Sequence, residues 1–353
     1  MALPEPPARS FASDNAAGAH PAVLEAIARV NVGHALAYGD DDETRACERR
    51  FRELFRNDVT TLLTFNGTGA NVLALTAVAR PGDAVICSES AHVNVDETGA
   101  PERIAGIKLI DVPDPDGKLS PEHVNHHAHA LGDFHHAQPA IVSITQSTEL
   151  GTVYTADEVA ALCDVAHRHG MRVHMDGARI ANAVAAAGGR VASLHAMTIE
   201  AGVDVMTFGG TKNGMLGGEA VVFLDPSLGA RAQYVRKTVT QLPSKMRFVA
   251  AQFNALLEGD LWLELAGHAN RMAQVLHSAT GGIDGIDRGP EPVVNSMFPT
   301  LPAAAIEPLQ EWCFFWDWDR AHHKVRWMTA WDTDQGDVAT FASGVRQILA
   351  GSD

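Results

Sequence analysis

Cysteine is scarce in this chain of 353 residues: there are four, Cys47, Cys87, Cys163 and Cys313, far apart and without a CxxC pair. This excludes a disulfide framework and a cysteine-built zinc site, and predicts four buried thiols. Basic residues are also in deficit, with 27 Lys and Arg against 43 Asp and Glu and a formal charge of −16. A nucleic-acid binder normally carries a basic footprint, so that class is excluded. No apolar run approaches the ~18 residues needed to cross a bilayer, and the opening MALPEPPARSFASDN lacks a basic-then-apolar leader. A cytoplasmic protein is expected. The P-loop, dinucleotide and HExxH spacings are missing as well. Histidine is plentiful, but pairs such as His126–His127, His135–His136 and His322–His323 would point to opposite faces of a strand, so no metal is expected.

With 46% apolar and 20% charged residues, the chain can bury a large core. Its length suggests a large domain with a smaller one appended. Residues 1–20, rich in Pro, Ala and Ser, read as an extended arm, 21–250 as the large domain and 251–353 as a small C-terminal α+β domain. Helices are predicted from Pro21, over Asp42 to Phe55, and at Thr68 to Ala79, Ala156 to His169 and Leu194 to Ala201. Near-continuous apolar runs at Thr60 to Phe65, Ala84 to Ser88, Gly106 to Val112, Ala140 to Thr145, Arg172 to Met175, Val203 to Phe208 and Gly218 to Phe223 predict strands covered on both faces. Their alternation with helices implies an α/β fold with a mostly parallel seven-stranded sheet. A long helical stretch, Met246 to Leu276, follows. Aromatic or β-branched runs at Pro292 to Pro299, Trp312 to Trp318 and Lys324 to Trp331 then suggest a small sheet, closed by a helix from Gln335 to Leu349.

Three constellations stand at strand ends, where ligands of such sheets collect. Asn66-Gly67-Thr68-Gly69-Ala70-Asn71 opens a helix, and its backbone N–H groups and dipole suit a phosphate, although the same turn also serves as a plain β–α connection. His174-Met175-Asp176-Gly177-Ala178-Arg179 puts a carboxylate beside a glycine, either as a helix cap or as the partner of a cationic ligand. Gly209-Gly210-Thr211-Lys212-Asn213-Gly214 ends a β-run on a glycine-flanked lysine, which confinement would make nucleophilic. Together they supply what pyridoxal phosphate requires: an imine-forming lysine, an acid for the ring nitrogen and a phosphate cradle.

These blocks, with Ser13-Asp14-Asn15, Tyr38-Gly39-Asp40-Asp41, Ala91-His92, Ile144 to Glu149, Ser244-Lys245-Met246-Arg247 and Val325-Arg326-Trp327, resemble the low-specificity L-threonine aldolases of the β-eliminating lyase group, which are fold-type-I pyridoxal phosphate enzymes. The resemblance implies an aspartate-aminotransferase-like fold and the cleavage of β-hydroxy-α-amino acids to glycine and an aldehyde. It also implies that Lys212 bonds the cofactor, Asp176 meets its ring nitrogen, Gly67 and Thr68 hold its phosphate, and His92 lies against its ring and helps handle the β-hydroxyl proton. Ser13, Arg179 and Arg326 match the substrate-carboxylate positions. His135, with His136 as its neighbour and competitor, aligns with a second histidine of the cleavage step. Lys237 and Arg247 match basic positions that reach the cofactor from a neighbouring subunit, which implies a homotetramer built as a dimer of dimers. Asn66, Gly69 and the Thr145 to Glu149 block depart from the Pro-Thr-Gly-Thr-Gln and Glu-Asn-Thr-His patterns of bacterial relatives. They point to another branch of the family and bear on side-chain specificity. The alternatives are a related lyase or transaldolase for another hydroxy amino acid such as phenylserine, and a non-catalytic binder of the same cofactor.

Overall fold

All seven expected runs form strands in the computed structural model, which describes residues 3–351. They are β1 (Thr60–Thr64), β2 (Asp83–Ser88), β3 (Lys108–Val112), β4 (Gln138–Thr145), β5 (Arg172–Asp176), β6 (Val205–Gly209) and β7 (Glu219–Phe223). The sheet order is β1-β7-β6-β5-β4-β2-β3, parallel from β3 through β6, with β7 running against both its neighbours. The reversal matters: β7 begins where the parallel strands end, so Glu219 joins their carboxyl-terminal rim.

Residues 42–55 show how local sequence sets an element. The Asp41 carboxylate accepts the Thr44 N–H at 2.8 Å and caps the helix Asp42–Phe55, whose Cys47, Phe51 and Phe55 recur on one face and are fully or almost fully buried. Phe51 meets Phe208 and Phe253 edge-on at 5.5 Å, tying this helix to the sheet and to Met246–Leu256. All four cysteines are buried and free.

The second sheet is antiparallel, in the order β8 (Ser296–Met297), β10 (Lys324–Met328), β9 (Trp316–Asp319). A helix, Ala303–Trp312, precedes β9 and takes in the start of the run expected as strand. The expected helical stretch from Met246 divides into Met246–Leu256 and Leu261–Ala279, because Gly259 and Asp260 both take positive φ at the junction. The domain division expected at residue 250 thus falls inside a helix. Buried apolar residues up to Ala266 join the large core, whereas Leu276 and many of the buried apolar residues after it gather with Phe11 around the small sheet, and Trp331 packs back against the large core. The N-terminal arm crosses this second core: Phe11 is buried against Phe341, and its carbonyl accepts the Met328 N–H at 2.9 Å. No helix of the described residues is long and apolar enough to cross a membrane.

Where β6 passes the turn after β5 there is no room for a side chain. A Cβ on Gly209 would stand 2.1 Å from the Ala178 carbonyl oxygen. Gly209→Ala is therefore expected to destabilise the chain by about 1–3 kcal/mol, read as a lower denaturation midpoint.

Candidate active site

The carboxyl-terminal rim encloses a cavity of about 430 Å³, walled by Gly67 and Thr68 after β1, His92 after β2, Thr145 at the end of β4 and Glu149 after it, Asp176 on β5, Lys212 after β6 and Glu219 on β7. A smaller chamber of about 190 Å³ shares His92, Glu149, Arg179 and Lys212 with it and adds Ser13, Asp96, Trp318 and Arg326.

At the phosphate-like corner, the Asn66 side chain takes the Gly69 N–H at 2.8 Å and its carbonyl takes the Ala70 N–H at 3.0 Å. The N–H groups of Gly67 and Thr68 are left without partners at the start of the twelve-residue helix Gly67–Val78, the end that favours an anion. Nothing lies within 4 Å of where a Gly67 Cβ would stand, so the corner has room for a ligand. Gln241 closes it from below by accepting the Phe65 N–H at 3.0 Å.

Asp176 is the buried anion of the floor. Oδ1 accepts the Ala178 N–H at 2.9 Å and Oδ2 accepts Asn71 Nδ2 at 2.7 Å. Burial alone would push its carboxyl up, but Lys212, His92 and these hydrogen bonds prevail and hold it below the usual carboxylate range. Asn71 Nδ2 donates also to Glu97 Oε1 at 2.8 Å, and Glu97 Oε1 lies 2.8 Å from His92 Nδ1. The contact with Glu97 raises the imidazole's proton affinity, and burial raises that of Glu97. His92, Glu97 and Asp176 are close enough to share a cation. The Asn71 amide donates to both carboxylates, however, which makes the cluster a hydrogen-bond network.

Lys212 occupies a single turn, Thr211–Asn213, between β6 and β7. Enclosure, and then the positive charge of Arg179, lower its proton affinity, against the pull of Asp14, Asp176 and Glu219. A lysine so placed has more of the neutral, nucleophilic amine than one in water. Glu219 accepts the Gly210 N–H at 2.8 Å, and burial pushes its carboxyl up to about 7.

In the chamber, Asp14 grips Arg179 through two hydrogen bonds, Nε to Oδ2 at 2.7 Å and Nη2 to Oδ1 at 2.9 Å, which leaves Arg179 Nη1 uncommitted. Arg326 stacks 5.6 Å from the Trp318 ring centroid, and its Nε is buried without a partner. Burial and the charge of Arg179 both lower its proton affinity. Two guanidiniums with spare donors facing one chamber call for an added anion, and a carboxylate fits. Asp14→Ala would strand the Arg179 charge and is expected to cost about 3–5 kcal/mol of stability, measured by denaturant unfolding.

Residues 10–299 match the beta-eliminating lyase family. The chain belongs to that family. It is 40% identical over 345 residues to the low-specificity L-threonine aldolase of a Pseudomonas species and 41% identical over 344 residues to that of Pseudomonas aeruginosa, in each case covering 97% of this chain and 98% of the relative. The threonine aldolase of Leishmania major superposes with a TM-score of 0.89 at 29% identity, over 96% of this chain and 99% of that one. An aspartate aminotransferase of Rhodobacter sphaeroides, at 16% identity with a TM-score of 0.69 over 99% of this chain and 96% of that one, shares the fold. The expected fold-type-I architecture is thereby found, and this member of the beta-eliminating lyases is an aldehyde-releasing carbon–carbon lyase.

Among the residues singled out from sequence, Gly67, Thr68, His92, Asp176, Arg179 and Lys212 wall the larger cavity, and Ser13 and Arg326 the smaller. Four lie elsewhere in their own chain. His135 and His136 sit in an exposed turn beside Asp133, Lys237 is exposed with its Nζ 5.0 Å from the Tyr38 ring centroid, and Arg247 stacks on Phe248. Asn71, Glu97 and Glu219 had no role assigned from sequence. Asn71 alone left a usable signal, as a buried amide among apolar neighbours on the helix Gly67–Val78.

Proposed function

We propose that this beta-eliminating lyase cleaves L-threonine, L-allo-threonine and related β-hydroxy-α-amino acids to glycine and an aldehyde, using pyridoxal phosphate bound in the larger cavity. The observation that carries this reading is the meeting of Lys212, Asp176 and the unpaired Gly67–Thr68 amides on one cavity that opens into the two-arginine chamber. The donor set fits the cofactor at each end, with an anion cradle at a helix start, a persistently ionised carboxylate on the floor and a partly desolvated amine between them. When bound, the cofactor supplies an electron-withdrawing ring that stabilises the charge left as the Cα–Cβ bond breaks.

The chain's own residues do the rest. The Gly67 and Thr68 amides would hold the phosphate, and Lys212 would supply the amine that anchors the cofactor. Asp176 keeps a proton on the ring nitrogen, and Asn71 keeps Asp176 in place. Arg179 and Arg326, with Ser13, hold the substrate carboxylate and so fix which Cα bond can break. His92 would lie against the ring, with Glu97 beside its Nδ1 favouring the protonated imidazole.

The proposal includes a cytoplasmic homotetramer built as a dimer of dimers. Phe65 and Leu216 line the larger cavity yet are more than half exposed, and Val32, Leu36 and Tyr38 form an exposed apolar stretch next to Lys237. A second copy over this face would cover them and bring Lys237 and Arg247 to a neighbouring cavity, and His135 enters as a proton-handling residue by the same route. The test is a panel of L-threonine, L-allo-threonine, D-threonine and phenylserine with the loaded protein. Equimolar glycine and aldehyde from the L-substrates are expected. Cofactor binding with no aldehyde from any of them would refute the reading.

A further inference from the structure

Glu149 is a titratable group of the arginine chamber to which nothing above gives a role. It follows β4 in the block that departs from the relatives' pattern, and it walls both the larger cavity and the arginine chamber. Its Oε1 accepts two hydrogen bonds, from the His92 N–H at 2.8 Å and from Thr145 Oγ1 at 3.0 Å. Its Oε2 is buried with no partner. A buried carboxylate oxygen without a donor is costly, and at a cavity wall it is the group that a bound hydroxyl would satisfy. The terminal torsion of a glutamate is soft, so its carboxyl can turn towards a ligand while Thr145 and the His92 amide keep it at the wall.

The charges around it are mixed. Asp176 and Asp96 are the acids of the surrounding walls, Glu97 lies behind His92, and Lys212, Arg179, Arg326 and His92 are the bases. Burial first, and the negative charge of Asp176 second, push the Glu149 carboxyl up to about 7. His92 is less suited to accept a proton, because Glu97 lies 2.8 Å from its Nδ1 and favours the protonated ring. A carboxyl that titrates near neutrality, by contrast, is matched to proton exchange with a hydroxyl.

We propose that Glu149 is the catalytic base that takes the proton of the substrate's β-hydroxyl. This rests on the aldolase reading. In the step, the O–H bond breaks and its proton passes to the Glu149 carboxylate. The freed electron pair becomes the second bond of the aldehyde carbonyl, and the Cα–Cβ pair stays with the glycyl half. That half regains a proton at Cα, so the cleavage is proton-neutral overall. In the direction of synthesis the protonated carboxyl returns its proton to the new alkoxide.

The test is Glu149→Gln, which keeps an acceptor oxygen for the His92 amide and Thr145 but cannot take a proton. Expected is a fall in kcat for L-threonine of about 10²–10⁴-fold, with loss of the pH-profile limb near 7. Glycine binding, read by the change in the cofactor's visible absorbance, should stay within about threefold. A third readout needs no turnover. The carboxyl's proton affinity is raised on folding from 4.5 to about 7, so the native state binds that proton more tightly than the unfolded chain. The stability this gives wild type is fully present below 4.5 and is lost as pH rises through 7, so the variant's melting temperature should gain on wild type over that interval. If Glu149→Gln does not fold, Glu149→Asp is expected to keep the limb with a reduced kcat. Near-wild-type turnover with an unchanged pH profile in Glu149→Gln, loss of glycine binding, or a Glu149→Asp profile without the limb would each overturn the proposal while leaving the aldolase reading intact. A wild type that releases no aldehyde from any hydroxy amino acid would overturn both.

Discussion

Lys212→Ala is expected to lose turnover of L-threonine by more than about 10³-fold, because the lysine acts as a unit with the groups around it. The visible absorbance of the lysine-bound cofactor should disappear with it. The surroundings explain why no other residue can substitute. The amine stands in a glycine-flanked turn between β6 and β7, and Asp14, Asp176 and Glu219 draw on its charge from three other segments. Glu219 would lose its nearby cation in the variant, so its carboxyl, already up at about 7, should move further up. The fold itself should survive: the helix–sheet contacts made by Phe51, Phe208 and Phe253 do not involve this turn. Visible absorbance and a thermal melt on the same sample would check both statements. A variant that keeps colour and activity contradicts the assignment.

The second large effect is expected at Asp176. Asp176→Asn keeps the volume and removes the anion of the floor, with an expected loss in kcat on the order of 10²–10³-fold, the scale for removing a preorganised electrostatic partner. The sign of the accompanying pH effect follows from the same charge. Asp176 is one of the groups that raise the proton affinity of Glu149. Without it the Glu149 carboxyl drops below about 7 towards its ordinary value of 4.5. The limb of the pH profile carried by Glu149 should therefore move to lower pH. His92, whose protonated form Asp176 also favours, should become easier to deprotonate. Steady-state rates across pH, set beside those of wild type, would show both changes.

Much of this was legible in the sequence, for a physical reason. A strand covered on both faces must be apolar almost throughout, so runs such as Ala220 to Phe223 identify themselves, and glycines beside Lys212 and Asp176 mark places where backbones meet or a ligand needs room. The small domain was harder. The helix Ala303–Trp312 carries Pro308 inside it and runs into an aromatic stretch that resembles a strand. The arm looked merely extended, whereas Phe11 belongs to the small core. The network behind the site left almost no local trace. Asn71, His92, Glu97 and Asp176 come from three separate segments, and the hydrogen bonds of the Asn71 amide follow from the strand order, in which β1 and β5 are not neighbours. Glu149 was noticed only as part of a divergent block, and its unpartnered oxygen is a property of the folded wall.

The central claim is that Lys212 carries the cofactor in the cavity on the rim of the large sheet. Reduction of the loaded protein with borohydride, followed by proteolysis and mass mapping, tests it most directly. The account predicts one stoichiometric pyridoxyl-phosphate mass addition, on the peptide that contains Lys212, and none without reduction. A label on another lysine, or none on a protein that still cleaves L-threonine, would contradict it.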